Sequence, residues 1–361
     1  MSSALLAEAR ALCSRLGAWR DRPLTFMEVC GTHTMAVAKS GLRTLLPETL
    51  RLVSGPGCPV CVTPVGYVDH ALALAALSDV VVVTFGDMMR VPGSAGSSLL
   101  RARAAGADVR VVYSPREALT LAHAQKQKQI VFLSVGFETT TPGVAATLLE
   151  ARREGVGNLS ALTANKTIPE ALSTLAASAE LRLDGLLCPG HVSVVLGPEV
   201  YQPIAARFGI PCAIAGFEAV EILRGLAALV DQVAGGVARV DNCYPAAVRP
   251  GGNPKARQLL DEVFEPCDAD WRGLGVIPRS GLRLREAFAH LDAARRFEVE
   301  LPEPVEPRGC RCGEVLRGAV APDECPLFAG ACTPEQPIGA CMVSSEGSCA
   351  AAFAHASEDL A

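Results

Sequence analysis

Three cysteines and a histidine fall in two Gly-rich turns near the start of this chain, and their types suggest what chemistry to look for. Cys30 and His33 lie in Cys30-Gly-Thr-His-Thr, and Cys58 and Cys61 close Gly55-Pro-Gly-Cys-Pro-Val-Cys. Thiolates bind soft metals, and a Cys-x-x-Cys pair can also cycle between dithiol and disulfide. Cysteines are also small apolar residues that cores simply bury. The glycines argue against that reading, because such turns are needed where backbone must approach something closely.

A second group of thiols stands near the C-terminus: Cys310, Cys312, Cys325, Cys332, Cys341 and Cys349. No two of these are spaced Cys-x2-Cys, so a zinc ribbon fits poorly. Wide spacings among Pro, Gly and small residues suit an iron–sulfur cluster held by four thiolates. Spacing alone does not choose four of the six. In an extended chain Cys310 and Cys312 would point to opposite sides, so only one of them is expected to ligate.

The 361 residues suffice for two or three domains. The net charge of -5 and pI near 5.8 argue against a nucleic-acid binder, as do only four Tyr and two Trp for base stacking. Mean hydropathy is +0.28, yet no apolar run reaches membrane-spanning length; Val80–Phe85 reads as a buried strand. The N-terminus has helical periodicity and no export signal, so the expected location is cytoplasmic. Structural disulfides are rare there, which turns fourteen cysteines toward metal or redox chemistry.

The elements that must position these residues alternate. Short apolar runs at Leu24–Val29, Leu50–Val53, Val80–Thr84 and Val109–Tyr113 each end in a Gly-, Pro- or polar-rich turn. A second set follows at Ile130–Val135, Leu159–Thr163, Leu183–Leu187 and Pro211–Ala215. Helical segments lie at Ser2–Leu16, Thr34–Leu46, Val65–Leu77, Ser97–Ala105, Arg116–Lys126, Gly143–Glu154, Glu170–Ala179 and Ala219–Ala234. This rhythm predicts α/β architecture with parallel sheets. Two half-chains of similar rhythm suggest two related α/β domains, at 1–127 and 128–238, without a repeat at the level of residue identities. Residues 239–361 would form the cysteine-rich third region. Within it Trp271–Leu284 reads as a loop or short strands, Leu284–Ala294 as a helix and Leu301–Pro307 as a linker.

Open α/β sheets bind ligands beyond the carboxyl ends of their strands. Two facing sheets would then enclose a cleft lined by Cys30, His33, Cys58, Cys61, Asp87, Glu138, Cys188, His191 and Glu218. Glu138, His191 and Glu218 are polar groups just past strands, placed for catalysis or for capping turns and helices. Asp87 and Arg90 are spaced for a local ion pair. No turn carries a dinucleotide or Walker fingerprint, so a nucleotide site is not supported.

At this point the chain resembles the HypD-type maturation factors of [NiFe] hydrogenases. The resemblance rests on Cys30-Gly-Thr-His-Thr, Gly55-Pro-Gly-Cys-Pro-Val-Cys, Gly136-Phe-Glu-Thr-Thr-Thr-Pro, Pro189-Gly-His-Val and Gly216-Phe-Glu. It continues through Trp271-Arg-Gly-Leu-Gly-Val-Ile-Pro and from Cys332-Thr-Pro to Cys341-Met-Val-Ser-Ser-Glu-Gly-Ser-Cys349, covering about residues 24–352. After Gly216-Phe-Glu the family pattern has Pro and Asp, where this chain has Ala219 and Glu221; Ala246 stands where an Arg is expected.

The resemblance implies a scaffold on which iron acquires one CO and two cyanide ligands, with a HypC-type small chaperone as partner and a HypE-type protein as cyanide donor. It implies that Cys30 ligates that iron and that Cys58 and Cys61 are redox-active. It further implies a [4Fe–4S] cluster with spacing Cys-x14-Cys-x6-Cys-x16-Cys, which Cys310, Cys325, Cys332 and Cys349 meet. His33 would hydrogen-bond a cyanide nitrogen, tune the Cys30 thiolate, or fix its own turn. Two other classes of function compete: a free-standing iron–sulfur thiol oxidoreductase acting on a small molecule, and a binding protein whose cluster is structural.

Overall fold

The computed structural model describes residues 3–178 and 182–356; Ser2 and Ala179, ends of two expected helices, lie outside them. Among the described residues eleven strands form two sheets. In chain order they are β1 (Leu24–Glu28), β2 (Leu50–Ser54), β3 (Val80–Thr84), β4 (Val109–Val111), β5 (Gln129–Gly136) and β6 (Leu159–Lys166). They continue with β7 (Gly185–Pro189), β8 (Cys212–Ala215), β9 (Val240–Asn242), β10 (Phe264–Trp271) and β11 (Gly275–Leu284). All eight predicted runs are strands, as their continuous apolar character requires of parallel sheets covered on both faces. β3, Val-Val-Val-Val-Thr, is buried at every position.

The pairing of the strands differs from the expected grouping by halves. One sheet runs β2-β1-β7-β8-β9, wholly parallel, and takes strands from both halves of the chain. The other runs β10-β11-β6-β5-β3-β4, so β5 and β6 join β3 and β4 across the boundary drawn at 127. Runs of similar apolar residues carry no label for their neighbour, so alternation predicts the strands and not their order.

This order creates a switch point in each sheet. From β1 the chain passes to β2 on one side, and from β7 to β8 on the other. In the second sheet β3 leads to β4 and β5 to β6 in the same diverging way. Connections that diverge from adjacent strands leave a crevice at their carboxyl ends.

The stretch after residue 239 meets expectation in part: Trp271–Leu284, read as a loop or short strands, holds a tight turn and β11. Trp271–Leu284 belongs to an antiparallel hairpin, β10–β11, that extends the second sheet at β6. Pro266, Pro278 and Gly281 interrupt its alternation and hide it in sequence, although the β10 side chains alternate between shelter and solvent, as an edge strand's do. An unpredicted helix, Pro254–Val263, precedes it, capped by the Asn253 side chain. Leu284–Ala294 is a 3-10 segment, Glu286–Leu291, followed by a separate short helix, Ala293–Arg296. The break falls at Asp292, whose carboxylate accepts from the Ala294 N–H and so starts a new helix. Among the described residues no helix is long and apolar enough to cross a membrane.

Candidate functional site

Cys30 stands at the carboxyl end of β1, as the N-cap of the helix Gly31–Lys39. The backbone N–H groups of Thr32 and His33 point at its sulfur. Such donors favour a thiolate or an anionic ligand. Burial works against them and pushes the free thiol up to about 12, so a cation at the sulfur is needed to hold the thiolate.

Two neighbours hold this loop. Glu28, fully buried, accepts from the Cys30 N–H at 3.2 Å and from the Thr34 hydroxyl at 2.6 Å. Burial pushes its carboxyl up to about 7. On the other side lies Gly57. The Gly31 N–H donates to the Gly57 carbonyl at 3.0 Å, and a Cβ on Gly57 would stand 2.5 Å from the Cys30 Cα. The Gly-Pro-Gly turn exists so that this backbone can lie against the Cys30 loop.

A cavity of about 210 Å³ opens beside Cys30. Residues that follow strands of both sheets line it: Cys30 after β1, Phe137 and Thr140 after β5, Ile168 after β6, and His191 after β7. Four helices begin at its wall, Gly31–Lys39, Thr141–Glu154, Ile168–Ala176 and the short Gly190–Leu196. Their N-terminal ends make it favourable to anions. The one carboxylate on its lining is Glu346, from the tail. It accepts from the Thr32 hydroxyl at 2.8 Å, and its own Cβ would collide with a side chain on Gly31. Glu346 was missed in the sequence, where it is one acidic residue in a run of small ones. Glu28 was missed because it reads as part of an apolar strand.

The other predicted residues divide. His33 is buried and its Nε2 contacts the Gly216 carbonyl at 2.9 Å, so it ties the β8 turn to the Cys30 helix instead of fixing its own turn. Burial lowers its pKa to about 4. The ring is therefore neutral at pH 7, with its proton on Nε2 facing the carbonyl and a bare lone pair on Nδ1. Nδ1 has no partner. Phe217 lies between the rings of His33 and His191, tilted against the first at 5.0 Å and stacked on the second at 3.9 Å.

Glu138 does not line the cavity. One of its oxygens accepts from the Ile168 N–H at 2.9 Å, fastening the start of that helix, and the other is buried without a partner. Burial pushes this carboxyl up to about 8. Glu218 is exposed and forms a capping box with Glu221 on the helix Ala219–Ala234, outside the cavity wall. The departure at Glu221 thus serves the helix end. Cys188 is buried within β7, and Asp87 lies off the cavity too. Arg90 donates to the tail carbonyls of Pro334 and Val343, at 2.6 and 2.9 Å, instead of pairing with Asp87.

Cys58 and Cys61 are joined as a buried disulfide, with Cα atoms 5.3 Å apart. Their loop separates two places. Gly57 and Pro59 line the Cys30 cavity, while Cys61 Sγ lies 3.9 Å from the carbonyl of Ala340, next to Cys341.

Beyond Ala340 all six tail cysteines line a second, small cavity, with Leu327, Phe328, Gly339 and Met342. Cys312 does not point away from Cys310. It begins the helix Cys312–Leu316, and that turn of helix brings both sulfurs to the same side. Among the described residues no three Cys, His, Asp or Glu converge as a set for a single metal ion. An iron–sulfur cluster instead takes one thiolate per iron, and a thiol-lined cavity without charged side chains fits that donor demand.

The family model and the similar proteins point the same way. Residues 5–356 match the HypD family model, described as "Hydrogenase formation hypA family". The chain is 46% identical over 357 residues to the hydrogenase maturation factor HypD of Azotobacter vinelandii, covering 97% of this chain and 94% of that protein. It is 44% identical to HypD of Cupriavidus necator at the same coverage, and 43% identical to HypD of Escherichia coli over 98% of this chain and 95% of that protein. On residues 5–356 and on these identities, the chain belongs to the HypD family of hydrogenase maturation factors.

Proposed function

We propose that this protein acts in hydrogenase maturation as the scaffold on which an iron ion, its cargo, receives cyanide and carbon monoxide. The observation that carries this reading is the setting of Cys30: a buried sulfur at a helix N-terminus, opening on an anion-favouring cavity, with a disulfide loop forming the next wall. Cys30 supplies one thiolate to the iron, and a HypC-type chaperone supplies another. A HypE-type partner brings the cyanide. The helix ends around the cavity favour the anionic ligands. His33, neutral and held by Gly216, keeps the Cys30 helix in register, and His191 lines the cavity as a hydrogen-bonding wall.

Oxidation of the Cys58–Cys61 dithiol to the disulfide releases two electrons and two protons. A carrier that holds cyanide through sulfur takes up both, ending as a thiol and hydrogen cyanide. Cys310, Cys325, Cys332 and Cys349 would hold a [4Fe–4S] cluster in the tail cavity. Bound there, a cluster supplies one-electron transfer. Residues 239–361 would serve as the iron–sulfur region, beside the stretches 1–127 and 128–238, whose strands interleave in the two sheets.

Infrared spectroscopy of protein purified without oxygen, from cells that contain the partners, tests the reading. Cyanide and CO stretching bands are expected, and Cys30→Ala should lose them while keeping tail-cluster absorption. No bands, together with turnover of a soluble thiol or disulfide, would establish the free-standing oxidoreductase instead.

A further inference from the structure

Arg272 lies outside the lining of the Cys30 cavity. Its side chain is 2% exposed, which is rare for an arginine. Its Nε–H pairs with the Glu306 carboxylate at 3.1 Å, and Nη2 donates to the Pro92 carbonyl at 3.3 Å. Nη1 is buried with no partner. Glu306 is itself 59% exposed, so water screens much of the charge it offers back. A buried guanidinium with one idle nitrogen and a half-screened counter-ion is costly unless another anionic group shares its surroundings.

The backbone shows where that group lies. The Arg272 N–H donates to the Val62 carbonyl at 3.0 Å, one residue past the Cys58–Cys61 disulfide. The next residue, Gly273, with φ of +81°, packs so tightly on Gly313 that a Cβ there would overlap the Gly313 Cα. Gly313 follows Cys312 of the tail cavity. Arg317, one turn on, donates to the Gly273 carbonyl at 2.7 Å and locks this contact. The Arg272 turn is therefore wedged between the disulfide loop and the thiol cavity, and its guanidinium ends on the Pro92 carbonyl, two residues from Arg90, which holds the tail carbonyls of Pro334 and Val343.

We propose that Arg272 is a positioning residue for the tail cofactor: a buried counter-charge that makes the cluster easier to reduce. The inference rests on the reading that a [4Fe–4S] cluster occupies the tail cavity. Four thiolates outweigh the charge of an iron–sulfide core, so such a cluster is anionic and gains one further negative charge on reduction. A fixed cation nearby, in surroundings of low dielectric, stabilises the reduced form more than the oxidised one. Glu306, by offsetting that cation from the solvent side, acts in the opposite sense.

The test is a redox titration of the full-length protein, reconstituted anaerobically with iron and sulfide and followed by electron paramagnetic resonance. Arg272→Gln should lower the cluster's midpoint potential, and Arg272→Lys should keep most of the wild-type value. Glu306→Gln, a change at an exposed residue that leaves the core intact, should raise it. This opposite pair of shifts is what a merely structural clamp would not produce. If Arg272→Gln does not fold, Arg272→Met, which keeps the buried side chain's length without its charge, takes its place. Unchanged potentials in loaded variants, or shifts of the same sign in both, would overturn the role of Arg272 and leave the cluster reading intact. A wild-type protein that takes up no cluster would overturn both.

Discussion

Gly57 and Cys30 share a space that admits only one side chain: a Cβ on Gly57 would stand 2.5 Å from the Cys30 Cα. The glycine is thus part of the means by which the Cys30 sulfur is aimed. Gly57→Ala must push the Cys30 loop away or move the Gly-Pro-Gly turn. Overpacking of this kind costs about 1–3 kcal/mol. Denaturant melts should show that loss. Iron retained at the Cys30 site should fall with it, while tail-cluster absorbance stays. Wild-type iron content in this variant would show that the close approach does not position the sulfur.

The Cys58–Cys61 disulfide should be reversible. Alkylation in denaturant before and after mild reduction is expected to differ by two thiols, the pair joined in the structure. Cys58→Ser should abolish the difference. Equal labelling of wild-type protein under oxidising and reducing conditions would remove the redox role.

Serine substitution of the six tail cysteines should separate two classes. Loss or alteration of the cluster spectrum is expected for Cys310, Cys325, Cys332 and Cys349. Retention is expected for Cys312 and Cys341, although both also face the cavity. If Cys312→Ser destroys the cluster and Cys310→Ser spares it, the ligand assignment must be exchanged between them.

Glu138 should leave a mark on the pH dependence of stability. Its carboxyl has an ordinary value of 4.5 and is pushed up to about 8 by burial. Between these values the folded protein keeps a proton that the unfolded chain has lost. Stability therefore falls as pH rises across this window, by up to about 1.4 kcal/mol per pH unit, and the loss is complete above the folded value. Glu138→Gln keeps an acceptor for the Ile168 N–H and removes the titration. Its denaturation midpoint should vary less between about pH 5 and pH 8 than that of the wild type. An identical slope in both proteins would exclude Glu138 as the source.

Local character was legible where one residue type repeats or where a spacing is rare. Val80–Thr84 is a strand with the bounds its apolar run suggests, and Ala219–Ala234 is a helix with the bounds its periodicity suggests. The hairpin at β10–β11 was legible only in part: Trp271–Leu284 reads as a loop or short strands, because prolines and glycines inside it resemble a loop until β6 offers an edge to pair with, and β10 gives no such signal. Glu218 misled for a related reason. A carboxylate just past a strand reads equally as a catalytic group or as a helix cap, and only the position of Glu221 one turn later, with the helix built, selects the cap.

The sequence by itself determined the eight strands β1–β8, most of the helices, the thiol motifs and the family to which they point. These depend on side-chain period and on residue identities at short range. Only the tertiary structure decided that β7 joins β1 while β5 joins β3, that Gly57 abuts Cys30, that Glu346 enters the Cys30 cavity, and that Cys310 and Cys312 face the same way. Each of these is a contact between segments far apart in the chain, or a turn of helix that reverses a local expectation. Local periodicity holds no record of which distant surface will cover a residue, so the arrangement is set when the sheets and the tail pack together.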